Sequence, residues 1–264
     1  HIGCFYLIDY PLSNAYQFKG KSNMALILLI FFLAGFVKGV IGLGLPTLSM
    51  GLLTTVMEPA VAASILIIPS FVTNIWQLMI GGKFLNLIRR FYLFIITIFI
   101  GTVYSPLPKL SSASEWVFPA LGLILIIYGL VAMFLPKSST SGKNERWLSP
   151  LIGYITGVIT AATGVFVIPA VPYLQSLNLN KNELIQTLGL AFTASTIALA
   201  ILLIRENNSE TIDYYTSSIA LIPAIIGMYV GQYCRNLIRP QRLAKPAGDP
   251  PALGDPERQL PSAP

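Results

Sequence analysis

The chain has one histidine, at position 1, and two cysteines, Cys4 and Cys234. A lone terminal histidine leaves no His pair for haem, no His-based zinc site and no base for a serine nucleophile. The two cysteines fit neither a metal-ligand spacing nor a disulfide framework. Charge is scarce as well. Asp, Glu, Lys and Arg make up 11% of the 264 residues, against about 25% in a soluble domain. None of the four occurs in residues 39–57, 59–82, 91–108, 116–136, 147–180, 184–204 or 214–234. A soluble helical bundle needs a polar face on most of its helices, and these windows have none.

What fills the windows is apolar: 54% of the chain is hydrophobic. A helix of roughly 20 apolar residues crosses the hydrocarbon core, and several windows reach that length. The predicted fold class is therefore all-α, a polytopic membrane protein. The net charge of +6 comes from basic residues flanking apolar spans, as membrane topology requires, and does not point to nucleic acid.

The two ends differ from the rest. Residues 1–23 precede the first methionine, Met24, and their run "CFYLI" is too short to span and lacks a signal-peptide layout. They are expected to lie outside the fold. Residues 240–264 are rich in proline and have no aromatic side chain, a composition expected to be disordered.

Between the ends the sequence repeats itself. "GFVKGVIGLGLPTLSMGLL" at 35–53 resembles "GYITGVITAATGVFVIPAVPYL" at 153–174, with Gly35 and Gly39 matching Gly153 and Gly157. Each stretch continues with a Gly (Gly44, Gly164) and a Pro (Pro46, Pro169), then an acidic residue opening an apolar span (Glu58, Glu183). Further on, "FIGTVYS" at 99–105 matches "IIGMYVG" at 225–231. The organisation expected is membrane repeat one over 24–136, a loop over 137–150 and membrane repeat two over 151–239. Each repeat has four segments, and the last segment of the second is expected to be missing.

Charge suggests that the repeats are inverted. Lys83, Arg89 and Arg90 follow the second span, whereas its counterpart is followed by Arg205, Glu206, Glu210 and Asp213. Basic residues mark the cytoplasmic side, so the equivalent loops fall on opposite sides. That is a common transporter plan, and it requires an odd number of crossings per repeat. Four segments satisfy it if the Gly-rich first segment enters and turns back. The basic residues Lys83, Arg89, Arg90, Lys137, Lys143, Arg146, Lys181, Arg235 and Arg239 then share one side. Residues 147–180 agree with a hairpin, because one straight helix of that length would run about 50 Å through a core of about 30 Å.

A broken segment at membrane depth survives only in protein or beside a polar cavity. Gly42 and Gly44 let the chain turn, and Pro46 suits the first turn of a new helix. The new helix offers free N–H groups and a positive dipole end, an anion site to which Thr47 adds a hydroxyl. Lys38 precedes the break with a full charge. In the second repeat Thr156 takes the lysine's place, and Thr160, Thr163 and Gly164 surround the break. Two such breaks meeting near the midplane would form one positive, hydroxyl-rich pocket, with Asn74, Gln77 and Thr193 as further polar groups within spans. Each assignment has a plainer alternative. Gly35 and Gly39 also suit close helix packing, Lys38 also suits snorkelling to the interface, and Glu58 and Glu183 suit helix N-termini.

At these motifs, together with "AVAASILIIPSFVTNIWQ" and "ELIQTLGLAFTAST", the sequence resembles the sulfite exporter TauE/SafE family over about residues 24 to 239. The resemblance implies two four-segment repeats, a bacterial inner-membrane location and export of small sulfur-containing anions such as sulfite or organosulfonates. Where the family commonly has a Gly-Gly turn, this chain reads Gly42-Leu43-Gly44-Leu45-Pro46, which suggests a divergent subgroup. Competing readings are a transporter of another small anion, a non-transporting membrane subunit or anchor, and an intramembrane enzyme. The enzyme is disfavoured: no span contains His, and no serine lies one helical turn from Lys38. No cofactor is expected. A coupling ion, H⁺ or Na⁺, is open, and so is the oligomeric state.

Overall fold

A computed structural model of the chain describes residues 20–79, 82, 84–107, 117–134, 145–206 and 213–243. Residues 1–19 of the expected extension and most of the proline-rich tail lie outside them, as do Lys83, Lys109, Lys137 and Lys143, whereas residues 20–23, expected to lie outside the fold, open the first helix. The described residues form nine helices and no strand: α1 (Gly20–Ile41), α2 (Leu45–Leu53), α3 (Pro59–Met79), α4 (Phe84–Val103), α5 (Val117–Phe134), α6 (Glu145–Thr163), α7 (Ala170–Ser176), α8 (Lys181–Glu206) and α9 (Tyr214–Leu243). The helix α6 begins inside the stretch read as a loop over 137–150, and α9 runs on to Leu243, beyond the expected start of the tail at 240. Among the described residues, α1, α3, α4, α8 and α9 are long and apolar enough to cross a membrane.

Local chemistry explains the helix ends. The first segment breaks between Ile41 and Leu45, where Gly42 and Gly44 have φ of 87° and 112°. These left-handed values suit glycine. Pro46 falls in the first turn of α2, where a missing N–H costs nothing. The second break follows Thr163, at Gly164 with φ of 69°. The Asp213 carboxylate caps α9 by accepting the Thr216 N–H at 2.9 Å. Glu183 reaches back to accept the Asn180 N–H at 3.2 Å, half of a capping box, as expected of an N-terminal acid. Pro69 interrupts α3 and leaves the Ile65 carbonyl without a helical donor. The Ser217 hydroxyl of α9 donates to that carbonyl at 2.7 Å.

Glycines then set the packing. A Cβ on Gly35 would lie 2.2 Å from the Ala224 carbonyl oxygen, and one on Gly39 equally close to that of Met228. Only glycine allows such an approach, so these residues serve close helix packing between α1 and α9. Gly153 and Gly157 meet the Phe94 and Ile98 carbonyls of α4 in the same way. The matching contacts set Ile98 beside Gly157 as Met228 is set beside Gly39. They therefore align Ile98 with Met228, one helical turn beyond the partner implied by matching "FIGTVYS" to "IIGMYVG".

The same contacts give helix directions. Residue numbers rise together along α1 and α9, and along α4 and α6. Lys38 meets Thr73 and Gly42 meets Gln77, so α1 and α3 also run parallel. Asn74 meets Thr196 and Leu78 meets Gln186, so α3 and α8 run antiparallel. Two parallel neighbours in sequence, α1 and α3, require the chain between them to travel back. The short α2 makes that return, packed on α1, α3 and α5. The hairpin's arms are unequal, since α1 has 22 residues and α2 has 9.

Candidate functional site

The Lys38 ammonium is buried, at 3% exposure, and does not snorkel. It donates to the Thr73 hydroxyl at 3.0 Å and to the Asn74 side-chain oxygen. Each acceptor is oriented by a further bond. The Thr73 hydroxyl donates to the Pro69 carbonyl at 2.6 Å, so its lone pairs face the lysine. The Asn74 amide nitrogen donates to the Thr196 hydroxyl at 3.3 Å, and Thr196 donates to the Phe192 carbonyl at 2.7 Å. The chain of dipoles runs from α1 through α3 into α8. Among the described residues every partner of this cation is neutral. A buried charge is costly unless paired, and neutral dipoles compensate only part of that cost.

Gln77 stands one helical turn beyond Thr73 and Asn74, on the same face of α3. Its amide nitrogen donates to the Gly42 carbonyl at 3.0 Å and to the Ile185 carbonyl at 3.1 Å. It thereby ties the tip of the α1–α2 hairpin to the start of α8. Two carbonyl acceptors fix the amide's orientation, and its own oxygen, buried, has no donor. Lys38, Gly39, Gly42, Gln77, Ile185, Met228, Gln232 and Arg235 line a cavity of about 30 Å³ beside this tip, room for about one water.

The remaining expected residues lie apart from it. Gly44 and Thr47 line a larger and mainly apolar cavity of about 470 Å³ between α1, α2 and α5. The Thr47 hydroxyl is buried without a partner, as is that of Ser49. Thr160, Thr163 and Thr193 donate to carbonyls of their own helix at 2.7, 2.8 and 2.7 Å. Neither they nor Gly164 line the cavity with Lys38. The tip of the first hairpin sits by Gln77, near the end of α3 at Met79 and the first turns of α8, rather than at mid-depth. Sequence reasoning passed over Thr73, Gln232 and Arg235. Thr73 shares a helical stripe with Asn74 and Gln77, a spacing that could have revealed it. Gln232 and Arg235 are spaced likewise, but Arg235 read as a topology charge at a helix end.

Long apolar helices around a buried polar cluster define a multi-pass α-helical membrane protein, with a broken segment whose tip carries the polar groups. The chain belongs to the sulfite exporter TauE/SafE family, whose model matches residues 27–247, most of its length. This is a family of membrane transporters. No curated protein and no solved structure matches the chain.

Proposed function

We propose that the protein exports a small oxyanion, sulfite or an organosulfonate, across the bacterial inner membrane. The observation that carries this reading is Lys38: a buried cation near the tip of a broken segment, held among the described residues by neutral side chains. An anion is the charge that such a site is short of. The family match supports the substrate class. Lys38, Gly42, Asn74 and Gln77 form the binding site in this reading. Gly44 and Thr47 line the separate apolar cavity by α2 and α5, and Thr160, Thr163 and Gly164 of the second hairpin, with Thr193 of α8, are assigned to the other half of the path.

Inverted repeats are part of the same proposal. Their support is the helix directions: α1, α3 and α9 run one way, while α8, antiparallel to α3, runs the other, with α4 and α6 parallel to each other. The salt bridge from Arg90 to Glu145, at 2.6 Å, sets the starts of α4 and α6 side by side. Arg89, Arg90, Arg146, Lys181 and Arg235 then gather at one end, which the positive-inside rule assigns to the cytoplasm. The cavity beside Lys38 is also lined by Arg235, one of the residues at this end. Coupling to H⁺ or Na⁺ fits this plan. Flux in proteoliposomes with sulfite, sulfoacetate, sulfate and chloride tests the reading. Equal or absent flux for all four would refute it.

A further inference from the structure

We propose that the groove between α3 and α9 is a binding site for an anionic phospholipid, its phosphate held by Arg235 and one acyl chain lying between Trp76 and Tyr229.

Helix contacts create the groove. Ser217 ties α9 to α3 by donating to the Ile65 carbonyl at 2.7 Å. Beyond that bond α9 is drawn onto α1, where Gly227 and Gly231 ride on the Phe32 and Phe36 carbonyls. A cavity of about 90 Å³ is left between α3 and α9. Val72 and Trp76 line one side and Ile225 and Tyr229 the other, with the buried Thr73 and Met228 between them. Its walls are almost wholly apolar. Trp76 and Tyr229 are 55% and 70% exposed, so the groove lies open on the flank of two helices long and apolar enough to cross a membrane. That flank meets lipid, and the groove has room for a short stretch of one acyl chain. Tails are as apolar as the side chains they touch, so the groove takes any phospholipid's chain and the headgroup decides which lipid stays.

The end of the groove is charged. Gln232 lines it, and Gln232 and Arg235 together line the cavity beside Lys38. Arg235 thus stands one turn of α9 beyond the groove, on the same face. It is half-buried, and among the described residues no carboxylate pairs with it. Trp76 lies close to the end of α3 at Met79. Trp and Tyr sit at the headgroup level of a bilayer, so the groove reaches the interface where Arg235 is. A guanidinium matches phosphate geometry, and basic pockets between membrane helices favour anionic headgroups. Thr73, which holds Lys38, also lines the groove. An occupied groove therefore braces the Lys38 clasp from the lipid side.

Trp76 is the probe for the test. The full-length chain has three tryptophans, and Trp116→Phe with Trp147→Phe leaves Trp76 alone. This protein is placed in phosphatidylcholine vesicles that carry a minor fraction of one brominated lipid, whose bromines quench tryptophan on contact. Brominated phosphatidylglycerol should quench Trp76 at about one-fifth of the mole fraction that brominated phosphatidylcholine needs, the factor for one basic side chain at an anionic surface. The preference should shrink in high salt. Arg235→Gln should abolish the preference and keep the quenching by brominated phosphatidylcholine. Arg89→Gln, at an exposed position on α4, should leave the preference in place. Equal quenching by the two lipids, or none by either, would overturn the proposal. So would a preference that survives Arg235→Gln, or one lost as fully in Arg89→Gln.

Discussion

The backbone of Gly39 rides directly on the Met228 carbonyl, so close that a Cβ on Gly39 would lie 2.2 Å from that oxygen. The contact recurs at Gly35 with Ala224 and, from the other side, at Gly227 with Phe32 and Gly231 with Phe36. Helix association in lipid relies on this kind of close packing, because the tails are as apolar as the side chains. With four such contacts, α1 and α9 behave as one unit. The cavity wall supplied by Lys38 and Gly39 therefore moves together with the wall supplied by Gln232 and Arg235.

Gly39→Ala should accordingly destabilise the protein by about 1–3 kcal/mol, the usual range for overpacking. Gly122→Ala is the control. A Cβ there meets nothing within 4 Å, and alanine is the better helix former by up to about 1 kcal/mol. Thermal unfolding in detergent should show a lowered midpoint for Gly39→Ala and an unchanged or raised one for Gly122→Ala. Equal midpoints would mean that the helices separate at little cost.

How much of this was legible beforehand depends on the physics behind each feature. The break was legible: glycine at positive φ and proline in a first helical turn are local requirements, and Gly42, Gly44 and Pro46 meet them in order. Helical spans were legible from charge-free windows. Tertiary register was not. Matching "FIGTVYS" with "IIGMYVG" is off by a turn relative to the contacts, because small residues spaced four apart look alike when shifted by four. Partners of buried polar groups were hidden for the same reason. Lys38, Asn74 and Gln77 could be named from their cost in lipid, but Thr196 and Arg235 join them only through how α3, α8 and α9 pack.

Gln77 gives the second prediction. Its amide nitrogen serves both the Gly42 and the Ile185 carbonyls, so Gln77→Leu would strip two carbonyls of a donor at once. The loss at Gly42 costs about 1–3 kcal/mol when the group stays buried, and the loss at Ile185 less, because that carbonyl keeps its helical donor within α8. The hairpin tip should loosen before the rest of the fold. Hydrogen exchange in detergent should show faster exchange around residues 42–48 in Gln77→Leu, with α4 and α6 unaffected. Uniform exchange across all helices would place Gln77's role elsewhere.

Lys38 separates a structural from a functional role by sign. Lys38→Met keeps the stem and removes a buried charge that has only neutral partners. Relief of the buried charge offsets the cost of leaving the Asn74 side-chain oxygen without its lysine donor, so the unfolding midpoint should change little. Binding of an anion should fall by roughly ten- to hundredfold, the range for a hydrogen bond to a charged group. Sulfite flux and thermal unfolding measured on one preparation decide between the roles. A lowered midpoint with intact flux would make Lys38 a structural clasp between α1 and α3.

Topology can be read with cysteines. The parallel course of α1 and α3 places the α2–α3 link on the same side of the membrane as the start of α1. Thr55, exposed in that link, and Arg205, exposed near the end of α8, should therefore react from one side. Lys181, exposed at the start of α8, and Arg146 should react from the other. Replacing each with cysteine in turn, after Cys4 and Cys234 have been changed to serine, and labelling with an impermeant maleimide in oriented vesicles tests the arrangement. The informative position is Thr55. If the first segment crossed the membrane as one continuous helix, Thr55 would label from the opposite side to Arg205, and a hairpin could not be maintained. Labelling of Thr55 and Arg205 from the same side leaves α2 no course but to return. The Gly42–Gly44 tip then stays at the basic end, where an anion leaving the cytoplasm would meet it.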